Sequence, residues 1–171
     1  DMFKGIKLIG GSYSETLGKY IVYGNTTAAD SNEKYYGKIF TSDNAFDWEN
    51  TYTGVTFSDV KNGSVWWESQ EIFIVSASNK ENFGVSVTST DGKTWTEVKG
   101  YPGDDDAEGT VYTGLALNAD IRIAGGKLYT TDGNHKLMRY TSWDKNAATE
   151  VADVSKLENL PKNLKNINQI A

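Results

Sequence analysis

The sequence predicts an all-β fold built from three four-stranded antiparallel units. Three observations predict it. Apolar and polar residues alternate with a period of two, broken by clusters of Gly, Asn, Asp, Ser and Thr about every eight to twelve residues. Thr, Tyr, Val and Ile, which suit a pleated, half-buried surface, are abundant. The chain also repeats itself, and helical spacing is hard to find before residue 155.

The repeat sets the element order. Its first copy runs from Leu17 to Asn50, its second from Ser69 to Val98 and its third from Ala124 to Val151. Each reads as an apolar strand, a polar turn, a second strand, a tight turn bearing an aspartate, and a last strand. The turn aspartates are Asp43, Asp91 and Asp144, separated by 48 and 53 residues. That is the length of one four-stranded unit. The stretches Phe3–Ile9, Gly63–Trp67 and Val111–Ile123 precede the copies and supply a first strand to each. The units span about 3–54, 55–102 and 110–154 of one domain covering 1–171, with a C-terminal extension at 155–171. In that extension Leu160, Leu164, Ile167 and Ile170 suit either a short helix after Pro161 or the opening strand of a fourth unit.

The second copy carries the sharpest motif, Ser89-Thr90-Asp91-Gly92-Lys93-Thr94-Trp95. Asp91 can accept backbone N–H bonds within the turn, Gly92 can take a positive φ, and Trp95 can fold back onto the sheet. The first copy, Thr41 to Trp48, reads as the same turn with one extra residue and Asn for Gly. The third keeps Ser142 and Asp144 without the Gly and Trp. This motif resembles the BNR/Asp-box repeats of sialidase-like β-propellers, over residues 3 to 151. The resemblance implies propeller-like blades, with Asp43, Trp48, Asp91, Gly92, Trp95 and Asp144 as structural turn residues. Three blades are fewer than the ~4–8 that close a ring. The expectation is therefore a partial propeller, or one completed by further copies of the chain or by other subunits.

The same resemblance implies sialidase chemistry, which takes three arginines, a Tyr–Glu nucleophile pair and an aspartic acid. Composition opposes it. The 17 basic residues include two arginines, Arg122 and Arg139. Lysine does not replace the guanidinium fork in gripping a carboxylate. Cysteine is absent, which removes thiolate metal sites and Cys nucleophiles. The single histidine, His135, sits in a Gly-Asn-His turn with no evident Ser or Asp partner. A net charge of -6 disfavours nucleic acid and anionic lipid as partners. No stretch approaches the ~20 apolar residues of a membrane helix, so no membrane insertion is expected.

In a four-stranded meander the aspartate turns occupy one end of each sheet. The loops of the other end are the longer ones here: 26–33, 79–82, 101–109 and 132–135. Tyr35, Tyr36, Asn79, Asn82, Tyr101 and Tyr112, on or beside them, are candidate ligand-binding residues, because aromatic faces flanked by amides suit sugar rings. The run from Gly103 to Gly109 places Asp104, Asp106 and Glu108 at alternate positions. It fails as an EF-hand, since its twelfth position would be Leu115 and no helix follows. It stays a candidate for a loose Ca²⁺ site, and no other cofactor is expected. Together these features predict a noncatalytic extracellular module on a virion or cell surface, a phage appendage or bacterial surface protein. Its partners would be other subunits, further copies or surface glycan. The alternative is a glycoside hydrolase whose site is completed by another chain.

Overall fold

The computed structural model describes residues 2–57, 63–78, 84–99, 121–131 and 136–156. They form three four-stranded antiparallel sheets, each a meander of consecutive strands. The first contains β1 (Ile6–Ser14), β2 (Lys19–Thr26), β3 (Gly37–Ser42) and β4 (Glu49–Gly54). The second contains β5 (Ser64–Trp67), β6 (Ile72–Ser78), β7 (Gly84–Ser89) and β8 (Thr96–Lys99). The third contains β9 (Ile121–Ala124), β10 (Lys127–Thr131), β11 (Lys136–Tyr140) and β12 (Ala148–Asp153). The opening strands come together: β5 neighbours both β1 and β9. The 3-10 turn Val154–Lys156 follows β12, and the rest of the C-terminal extension lies outside the described residues.

Two-sided burial of the middle sheet explains its composition. Successive side chains of a strand point to opposite faces. Phe73, Val75 and Ala77 of β6 pack with Val85 and Val87 against Ile21, Tyr23 and Ile39 of the first sheet and Phe57, which follows β4. The alternate residues Ile72 and Ile74 pack with Trp67 against Ile121 and Leu128 of the third. A strand buried on both faces needs a continuous apolar run, and Ile72-Phe73-Ile74-Val75 supplies one. The adjacent tryptophans divide in the same way. Trp66 joins the layer facing the first sheet, and Trp67 the layer facing the third. Each large side chain so buried contributes about 1.5–3 kcal/mol.

Among the described residues, irregularities sit in the first and third sheets and not in the middle one. The ladders shift register between Leu8 and Gly10, between Ile39 and Phe40, and between Leu137 and Met138. Such bulges sharpen the twist of the strands that carry them. In the first sheet close approach also demands small residues. A Cβ on Gly11 would lie 2.4 Å from the Ile21 carbonyl oxygen, so the β1–β2 pair has no room for a side chain there.

Candidate functional site

The aspartate turns lie at one end of the sheets. In the β7–β8 turn Asp91 Oδ1 accepts the Lys93 and Thr94 amides, both at 2.7 Å, and Oδ2 accepts the Thr94 hydroxyl. Ser89 Oγ accepts the Gly92 amide at 2.8 Å. These donors hold the Asp91 carboxyl well below the usual range, at about 2, with the Thr94 amide as the largest cause. Gly92 takes φ of 70° and its carbonyl accepts the Thr41 hydroxyl of the first sheet at 2.5 Å. Trp95 Nε1 donates to Thr51 Oγ1 at 3.0 Å, and its ring lies near Phe73. The turn therefore latches the second sheet to the first.

The β3–β4 turn follows the same geometry in a different register from the expected one. Asn44, not Asp43, holds the acceptor position: its Oδ1 takes the Phe46 and Asp47 amides at 2.9 and 2.8 Å, and Ser42 Oγ takes the Asn44 amide. Ala45 then stands where Gly92 does and has φ of 63°. No extra residue is needed before Trp48, whose Nε1 donates to the Ala45 carbonyl and whose ring packs on Phe3. Asp43 is turned aside to pair with Lys19 at 2.5 Å, and that ammonium is what lowers its carboxyl pKa. In the third turn Asp144 Oδ1 accepts the Asn146 amide at 2.8 Å and caps the 3-10 turn Lys145–Ala147.

Of the expected ligand residues, Asn79, Asn82, Tyr101 and Tyr112 lie outside the described residues, as do Asp104, Asp106 and Glu108. Tyr35 is exposed. Tyr36 is committed to its own loop, donating to Asp30 Oδ2 at 2.8 Å. Asp30 also accepts the Asn32 and Lys34 amides, which with the Tyr36 hydroxyl lower its pKa. Among the described residues no group of three or more His, Cys, Asp or Glu side chains is placed to hold a metal ion. Among them, too, no helix is long and apolar enough to cross a membrane.

The structure instead forms a groove of about 230 Å³ between the first two sheets, lined by Thr16, Leu17, Trp66, Gln70, Glu71 and Thr90. It lies at the end that carries the aspartate turns, away from the loop at 26–36. Its centre is the β5–β6 connection, the 3-10 turn Glu68–Gln70, closed by Glu71 at φ of 51°. A left-handed glutamate is an uncommon, strained choice that its surroundings must hold in place.

Both flanking sheets hold it. Toward the first sheet, the Thr16 hydroxyl donates to Glu68 Oε1, while Trp66 Nε1 donates to Oε2. The Trp66 ring is backed by Phe73, centroid to centroid 4.7 Å. Toward the third sheet, Trp67 Nε1 and Ser69 Oγ both donate to the Gly126 carbonyl, at 2.9 and 3.2 Å. Gln70 Oε1 accepts the Trp143 amide at 3.1 Å. The result is a carboxylate with a donor on each oxygen and a lone pair left on each. Thr16 first, then Trp66, lowers the Glu68 pKa, so the group stays anionic.

Sequence reading missed this constellation. Its signal was the run Trp66-Trp67-Glu68-Ser69-Gln70-Glu71, where an aromatic pair meets two carboxylates in a connection only four residues long.

Comparison with known proteins finds no matching family model and no matching curated protein. Among solved structures the chain is similar to the catalytic domain of a GH62 α-L-arabinofuranosidase from Coprinopsis cinerea, with 13% identity and a TM-score of 0.43. That match covers 87% of this chain and 51% of the other. It is also similar to a fructofuranosidase from Schwanniomyces occidentalis complexed with fructosylnystose, with 12% identity and a TM-score of 0.45, covering 86% of this chain and 34% of that one. The chain thus spans about half of the first and a third of the second. Both carry the names of glycosidases. The expectation of a noncatalytic phage appendage or bacterial surface module is corrected accordingly.

Proposed function

We propose that this chain is part of a glycoside hydrolase of β-propeller architecture. Its three sheets act as blades, its hairpins, built on Ser with Asp or Asn, are of Asp-box type, and its catalytic site is completed by further chain or by another subunit. One observation carries the reading: the anionic Glu68, gripped by Thr16 and Trp66 at the edge of a groove that also presents Gln70, Glu71 and an aromatic ring.

Glycoside hydrolysis takes two carboxyl groups with opposed protonation. An anionic one attacks the anomeric carbon or activates water, and a protonated one delivers a proton to the leaving oxygen. Glu68 suits the first role, because two hydrogen bonds favour its charged form. Asp30, Asp43, Glu68, Asp91 and Glu150 all have lowered pKa values. None of these five suits the acid, and the reading leaves that group unassigned.

Dinitrophenyl glycosides test this directly, since their leaving group departs without a proton. The chain is expected to turn over at least one member of a panel of such glycosides. Glu68→Gln should lower kcat at least about 10²-fold, with the unfolding midpoint unchanged. With Glu68 anionic, the acid limb of the rate should lie below the ordinary glutamate range. A panel with no turnover, or a Glu68→Gln variant as active as the parent, overturns the reading.

A further inference from the structure

We infer that the groove selects neutral sugars and rejects carboxylated ones; this rests on the glycosidase reading of the same site. The charge at the groove is one-sided. Among the described residues its lining includes Glu71 and no Lys, Arg or His, Glu68 stands beside it through its bonds to Thr16 and Trp66, and Lys19, next to the Gly92 turn, is paired with Asp43. The polar remainder is neutral: two threonine hydroxyls and the Gln70 amide. Both arginines of the chain lie on the third sheet, Arg122 on β9 and Arg139 on β11, each opposite Tyr129 of β10. Neither lines the groove.

A sugar carboxylate entering here would meet two glutamates and no guanidinium fork. Two like charges several ångströms apart at a partly wet surface repel by enough to weaken binding about tenfold. A neutral ring meets what it needs. Trp66, fixed from behind by Phe73, offers an apolar surface to ring C–H groups. Glu68 and Glu71 offer acceptors to hydroxyl protons, and the Thr16 hydroxyl, already donating to Glu68, is left as an acceptor. An acceptor-rich wall selects a ligand made of donors, which a polyhydroxylated neutral ring is and a uronate is less.

The groove also straddles a seam, with Thr16 and Leu17 from the first sheet and Trp66, Gln70, Glu71 and Thr90 from the second. A ring bound there touches both sheets, so its binding is read in their mutual stability as well as in turnover.

Matched nitrophenyl glycosides differing in oxidation at C6 (glucoside and glucuronide, galactoside and galacturonide) provide the test, with calorimetry as the readout. Neutral members are expected to bind, and their uronide partners to bind at least about tenfold more weakly at low salt. Glu71→Gln should narrow that ratio several-fold, and so should raising the salt. A uronide that binds as well as or better than its neutral partner overturns the selectivity while leaving the glycosidase reading standing. If no member of any pair binds, both fall.

Discussion

At the residue scale, the turns show how little local chemistry is needed to specify a hairpin. Asp91 gathers two amides and a hydroxyl in one carboxylate, so its folded pKa of about 2 lies below its unfolded value of about 4. A depressed carboxyl contributes stability that is present above the unfolded pKa and lost as pH falls through the folded one. Asp91→Asn should therefore destabilise at neutral pH by about 1 kcal/mol, discounted for the exposure of the group. The gap between variant and parent in urea midpoint should close between about pH 4 and pH 2. A gap independent of pH would refute the turn's dependence on charge. Ala45 offers the reverse experiment. It holds φ of 63° where the second turn has glycine, so Ala45→Gly relieves strain and should stabilise by about 0.5–1 kcal/mol after the added chain entropy. Gly92→Ala should cost a similar amount or more, since its Cβ would also meet the Lys19 side chain at 3.2 Å.

At the element scale, the β5–β6 connection is a short turn with neighbours on both sides. Gln70→Ala removes the acceptor of the Trp143 amide and should cost about 1–2 kcal/mol. Trp67→Phe keeps most of the buried ring and loses the bond to Gly126, with a cost of the same order. Thr16→Val tests the grip on Glu68: with one donor gone, the Glu68 pKa should rise toward the ordinary glutamate value in an NMR titration. An unchanged pKa would mean that the Thr16 bond does not set the charge of the site. The Tyr36 hydroxyl closes its own loop on Asp30, a contact between residues six apart.

At the scale of the whole molecule, the middle sheet decides cooperativity. Its β6 gives Phe73 to one layer and Ile74 to the other. Phe73→Ala should cost about 3–5 kcal/mol and Ile74→Ala about 2–5 kcal/mol. Because adjacent residues on one strand serve both layers, either loss should be felt by all three sheets in a single transition. Far-ultraviolet dichroism and tryptophan fluorescence should then give coincident unfolding curves. Separated curves would mean that the sheets melt one by one. The two outer sheets have one such layer apiece, so substitutions on their far faces should cost less than the same change in β6.

Alternation, turn residues and the repeat were enough for the sequence to determine an all-β chain of three antiparallel units. Each of those signals is local, written within a strand or a four-residue turn, so it survives without knowledge of packing. Composition likewise excluded the three-arginine clamp. The register of the first turn was legible only in part, because Asp43 and Asn44 are adjacent and either side chain can accept amides; the backbone path chose Asn44 and left Asp43 to Lys19. The groove was decided by tertiary structure alone. Thr16 reaches Glu68 across 52 residues, and Gln70 meets Trp143 across 73. Such pairs exist only because apolar layers bring separate sheets face to face, and where hydrophobic burial presses two sheets together their turns acquire neighbours that no local pattern specifies.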